Sequence, residues 1–76
     1  MATGLDVGTI TLTVNGSQRE VSAQTTLAQL LTDLGLEPRM IVVEHNRTIL
    51  HDRERYTSIV LEQGDVLELV HFVGGG

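Results

Sequence analysis

From Thr9 to Val14 apolar and polar residues alternate: Ile10, Leu12 and Val14 fall on one side, Thr9, Thr11 and Thr13 on the other. A period of two rich in β-branched residues predicts a half-buried strand. Asn15-Gly16 follows. A two-residue hairpin needs positive φ at both central positions, which this pair tolerates. Residues 18–22 supply the return strand; polar except for Val21, they predict a sheet edge. The period then changes. Leu27, Leu30, Leu31 and Leu34 stand at i, i+3, i+4 and i+7, an apolar stripe that predicts a helix over residues 26–34. Thr26 is the expected N-cap, with Gln29 closing a capping box. Gly35 suits the left-handed position beyond the helix, Leu36 supplies the hydrophobic contact after it, and Pro38 prevents continuation. A helix this short is not stable alone, so it must lie on a sheet.

Residues 40–44 are a continuous apolar run closed by Glu44, which predicts a strand buried on both faces. Asn46-Arg47 turns the chain into a short extended piece, Thr48–Leu50. Residues 52–56 are charged and predict one helical turn, and residues 58–61 a short strand. Gln63-Gly64-Asp65 is a turn. Residues 66–73 form the longest strand, with Leu67, Leu69 and Val73 on one side and Val66, Val70 and Phe72 on the other. Apolar residues on both faces predict a central position. A hairpin followed by a crossover helix returns the third strand to the same sheet. The prediction is an α+β, ubiquitin-like β-grasp: a mixed sheet of four to five strands with one main helix on one face and the final strand beside the first. One domain spans residues 9–73, between a flexible lead-in at 1–8 and a flexible tail at 74–76.

Composition narrows the chemistry. A chain of 76 residues is one small domain that buries only about 60% of the surface its unfolded form exposes. Cysteine is absent, which excludes disulfides, thiolate metal sites and cysteine nucleophiles. With one Tyr and one Phe the core is expected to be aliphatic. Five Lys+Arg, all of them Arg, against ten Asp+Glu give a net charge of −5. Phosphate backbones and anionic membranes repel such a chain, so neither nucleic acid nor membrane is an expected partner; a basic protein surface is. No apolar run approaches the roughly 20 residues needed to span a bilayer. Residues 1–8 lack the basic and apolar regions of a signal peptide, so a cytoplasmic location is expected. His45, His51 and His71 fit no zinc spacing, and no metal site is expected. No spacing marks a general acid/base pair, and there is no phosphate loop. No catalytic residue is assigned.

The chemistry left is at the end of the sequence, His71-Phe72-Val73-Gly74-Gly75-Gly76. Three glycines after a central strand give a tail without Cβ atoms on a rigid base, able to thread a slot too narrow for other residues. A terminal α-carboxylate is ionised at neutral pH, its pKa being about 3.3–3.7. A partner enzyme can set it against the α-phosphate of ATP, giving an acyl-adenylate open to attack by a sulfur nucleophile. The chain itself then binds no cofactor and is a cosubstrate rather than an enzyme.

The strand ending in Asn15-Gly16, Thr26-Leu27-Ala28-Gln29-Leu30-Leu31, Ile41-Val42-Val43-Glu44-His45-Asn46, Glu54-Arg55-Tyr56, Gly64-Asp65 and the His-Phe-Val-Gly-Gly-Gly ending together resemble the ThiS branch of the ubiquitin-like ThiS/MoaD family, the sulfur carriers of thiamine biosynthesis. The likeness runs from about Ile10 to Gly76; residues 1–8 extend beyond the family's usual first strand. It implies that Gly76 is adenylated by an E1-like, ThiF-type adenylyltransferase and converted to a thiocarboxylate with sulfur derived from a cysteine desulfurase. The sulfur then passes to a ThiG-type thiazole synthase. Gly74 and Gly75 match the strip that threads partner active sites. Val70, His71 and Phe72, next to the tail, are expected to dock partners, since an apolar patch on the face opposite the helix would be a docking surface. Three other readings stay open at this point: a carrier for another pathway such as molybdopterin or tRNA thiolation, a ubiquitin-like modifier, and a plain β-grasp interaction module.

Overall fold

The computed structural model describes residues 8–72. Five strands form one mixed sheet in the order β2-β1-β5-β3-β4. β1 (Thr9–Val14) and β2 (Ser17–Ser22) pair antiparallel, and β2 is the edge. Their turn has φ of 49° at Asn15 and 84° at Gly16, both positive as a primed hairpin turn requires.

Helix α1 (Leu27–Asp33) buries Leu27, Leu30 and Leu31. Thr26 Oγ1 accepts the Gln29 N–H at 3.1 Å. The Gln29 side chain donates to Asp33 Oδ1 at 3.0 Å, one turn on, instead of reaching back to the cap. The expected capping box is therefore half formed. At the far end Gly35, at φ 73°, donates to Thr32 O, and Leu36 N–H donates to Leu31 O at 2.9 Å. This pair of bonds is the Schellman stop.

Pro38 opens a 3₁₀ turn, Pro38–Met40. β3 (Ile41–His45) and β4 (Thr48–Leu50) form a second antiparallel hairpin over Asn46-Arg47, again with both φ positive. The apolar run at 40–44 is not buried on both faces. Ile41 and Val43 are buried, whereas Met40 and Val42 stay 41% and 39% exposed. Among the described residues α1 is the only α-helix, and it covers one side of the sheet.

A second 3₁₀ segment, Arg53–Ser58, starts with Asp52 accepting the Glu54 N–H and carries Tyr56 into the core. The core is thus not wholly aliphatic. This segment extends through Ser58, so the strand expected at 58–61 shrinks to one bridge, Thr26↔Val60. Bonds from Leu27 N–H to Ile59 O and from Leu61 N–H to Thr25 O flank that bridge and pin the start of α1.

β5 (Val66–His71) lies between β1, to which it is parallel, and β3, to which it is antiparallel. The strand stops two residues short of the expected end. Val73, the lead-in at residues 1–7 and the tail at 74–76 lie outside the described residues. Leu12, Leu67 and Leu69 join the helix leucines, Ile41, Val43, Tyr56 and Leu61 in one core.

Candidate functional site

β5 is the base from which the glycine tail departs. On its β3 side it is paired from His45↔Leu67 through Ile41↔His71, with Phe72 N–H then donating to Met40 O at 3.2 Å. On its β1 side the ladder is short: Thr13↔Val66 and Val14↔Leu67. Asn15 N–H donates to Leu67 O at 2.9 Å. The Asn15 carboxamide then takes the next rung, accepting the Leu69 N–H at 2.7 Å and donating to Leu69 O at 3.1 Å.

Strand alternation sorts the side chains of β5. Leu67 and Leu69 face the helix, while Val66, Glu68 and Val70 face away. Val70 is 55% and Phe72 42% exposed, and alternation sets them on the same open face. His71 is exposed but alternates to the other side. The three residues predicted for docking are thus split two and one.

Residues not predicted for docking complete the open face. Val42 and Ile49 are exposed there, and with Glu44, Glu68 and Val70 they line a shallow groove of about 430 Å³. The continuous apolar run at 41–43 carried no signal that Val42 would be exposed. Placing Ile49 there requires the β3–β4 register, in which it pairs with Glu44. The β1–β2 half of the face carries Thr11, Thr13, Gln18 and Glu20 instead. Glu44 and Glu68 stand directly opposite each other across β3 and β5. Like charges at opposed positions destabilise a sheet, so this pair favours a cationic neighbour.

At the other end of β5 a polar cluster ties two turns together. Asp65 is buried; its Oδ2 lies 2.9 Å from His45 Nε2 and accepts the Glu62 N–H at 2.9 Å, while Oδ1 accepts from Asn46 Nδ2 at 3.1 Å. Asn46 Oδ1 in turn accepts the Val66 N–H at 2.8 Å. Burial pushes the Asp65 carboxyl up, but the hydrogen bonds from His45, the Glu62 amide and Asn46, together with the His45 charge, hold it below its ordinary value of 3.8. A carboxyl depressed in the folded state stabilises the fold above its unfolded pKa and loses that contribution as pH falls through the folded one. Asp65→Asn is expected to lower stability at pH 7 by about 1–3 kcal/mol. It should also flatten the decline of the urea midpoint below about pH 4. Urea titrations from pH 7 to pH 3 check both; parallel curves for the two proteins would remove Asp65 from the account.

Among the described residues no three His, Cys, Asp or Glu side chains come together as a metal site. No helix among them is long and apolar enough to cross a membrane.

A five-stranded mixed sheet with its last strand central and one main helix on one face is the ubiquitin-like β-grasp. The crystal structure of the thiamine biosynthesis protein ThiS from Geobacter metallireducens shares it, with TM-score 0.74 and 33% identity over 88% of this chain and 100% of that one. The sequence profile of the ThiS family matches residues 12–76. The sulfur carrier protein ThiS of Bacillus subtilis is 41% identical over 66 residues, 86% of this chain and 98% of that protein. The thiazole synthase of Magnetococcus marinus is 41% identical over 63 residues, 83% of this chain. The chain spans 19% of that synthase's length. The chain belongs to the ThiS family.

Proposed function

We propose that this chain is a sulfur carrier for thiazole formation in thiamine biosynthesis, with Gly76 as the atom-bearing residue. The observation that carries the reading is the family match, which runs through residue 76 and so includes the glycine tail beyond β5. A ThiF-type adenylyltransferase joins a Gly76 carboxylate oxygen to the α-phosphorus of ATP, and pyrophosphate leaves. Hydrosulfide, released by a thiol reductant from the persulfide of a cysteine desulfurase, attacks the acyl carbon, and AMP leaves. The resulting thiocarboxylate gives its sulfur to a ThiG-type thiazole synthase. A thiazole synthase that contains a segment matching this chain supports that acceptor. Gly74 and Gly75 thread the partner sites. Every catalytic group belongs to the partners, so the chain is a cosubstrate, working in the cytosol where ATP is supplied.

The open face docks the activating enzyme through Val70 and Phe72, joined by Val42 and Ile49. The opposed Glu44 and Glu68 and the net charge of −5 favour a basic partner surface. His71 meets the partner from the other side of β5.

One experiment tests chemistry and docking together. The chain is incubated with ATP, hydrosulfide and a ThiF-type enzyme, then measured by intact mass and C-terminal peptide mapping. Mapping is needed because oxidation of Met1 or Met40 adds one oxygen, a change close to replacing oxygen by sulfur. Sulfur confined to Gly76 and dependent on ATP is the expected result. No exchange, while a known carrier is converted alongside, overturns the reading. In the same assay Phe72→Asp is expected to raise KM for the carrier about tenfold, the order of one lost docking contact. An unchanged KM with the fold retained removes Phe72 from the docking face.

A further inference from the structure

The hairpin turn explains why residue 15 can be asparagine but not why its side chain points at β5. Many residues hold a left-handed turn poorly, yet glycine holds it at least as well as asparagine. The carboxamide has a separate partner. It bonds both the N–H and the C=O of Leu69, the double exchange that a paired residue of an antiparallel neighbour would make and that parallel β1 does not. β1 itself has already turned away into Gly16 and β2. Among the described residues Leu69 is therefore the last of β5 held from the β1 side, both of its backbone groups going to Asn15. Beyond it, His71 and Phe72 are aligned on β3 alone.

We propose that Asn15 is a positioning residue for the tail: its carboxamide is the last hold on β5 from the β1 side and sets the direction in which Val70 to Phe72 carry the chain towards Gly76. This rests on the carrier reading. Adenylation needs the Gly76 carboxylate in line with the α-phosphorus, and small misplacements of a reacting group cost rate steeply. Without the clamp the end of β5, Val70 to Phe72, is held from β3 alone and can swing about that one edge. With the clamp the exit is set before docking.

Asn15→Gly separates the two roles, because it keeps the positive φ of the turn and removes only the clamp. Asn15→Asp keeps the acceptor for the Leu69 N–H and loses the donor to Leu69 O, so it serves if the glycine variant does not fold. The readouts are amide hydrogen exchange at Leu69 and ATP–pyrophosphate exchange with a ThiF-type enzyme as carrier concentration is varied. Asn15→Gly is expected to speed Leu69 exchange at least about tenfold and to lower kcat about tenfold with KM within about twofold. Asn15→Asp should fall between it and the wild type. A merely structural asparagine gives a lower melting temperature with kcat unchanged, and that result overturns the proposal. So does a rise in KM alone, which marks docking instead. A wild-type chain inert in pyrophosphate exchange overturns the carrier reading and this proposal with it; an active wild type matched by Asn15→Gly overturns only the positioning role.

Discussion

Deleting Gly75 and Gly76 is expected to abolish thiocarboxylate formation while the domain melts within about 4 °C of the full chain. The first half follows from the carrier chemistry proposed above: without Gly75 and Gly76 the α-carboxylate would sit two residues short of the activating enzyme's ATP. The second half follows from where the core lies. Among the described residues every core residue falls between Leu12 and Leu69. A change away from burial, caps and ion-pair networks usually stays within about 0.5 kcal/mol, and for a domain this size that moves the melting temperature by roughly 2–4 °C. The measurement pairs intact mass after incubation with ATP, hydrosulfide and a ThiF-type enzyme with a thermal melt. Residual sulfur incorporation would move the acceptor atom off Gly76. A collapse of the melt would assign the tail a structural role.

Leu67→Ala is the substitution expected to damage the fold most. Leu67 is fully buried, lies on the central strand, and is joined to β1 and β3 at once. Buried leucine to alanine costs about 2–5 kcal/mol, more where neighbours cannot close the cavity. Sheet on one side and α1 on the other leave little room to collapse, which favours about 4 kcal/mol. A domain of 76 residues has roughly 4–11 kcal/mol in total, so the variant loses a large share of its folded population. Val66→Ala, one residue away on the open face, is expected to cost under about 1 kcal/mol, because that side chain is 42% exposed. Urea unfolding of the pair is the check. Equal losses at both positions would mean that the two faces of β5 are alike.

The elements that sequence pattern located are those in which one residue type has one physical use. Asn15-Gly16 marks a hairpin, the leucine spacing marks α1, and Gly35-Leu36 marks its stop; each is where the pattern put it. The central place of the last strand was legible too, from apolar residues on both its faces. What was not legible depends on contacts between distant segments. Whether residues 40–44 are covered on two sides or one depends on how many helices the chain has to spend on the sheet. Residues 58–61 had a strand's composition, but their backbone bonds go to Thr25 and Leu27 rather than to a strand. The Asn15 carboxamide acts on Leu69, far along the chain, and local pattern had already accounted for Asn15 as a turn residue. The open face shows the same limit. Val70 and Phe72 could be named from β5 alone, whereas Ile49 and the Glu44–Glu68 opposition needed the register of β3 with its neighbours.

The last described strand is the third in space, so the sheet cannot close until β5 is in place. Before β5 enters, the chain holds two separate ribbons, β1–β2 and β3–β4, each only marginally stable in water. Both turn an unpaired inner edge outward, the kind of edge that templates aggregation. Closing the sheet requires residues 13–14 to meet residues 66–67, a long loop whose entropy is lost before the contacts repay it. Folding is therefore expected to be cooperative and paced by that single insertion. A nascent or clipped chain ending before Val66 is a sticky pair of hairpins. A chain long enough to include residues 74–76 already contains the strand that closes the sheet.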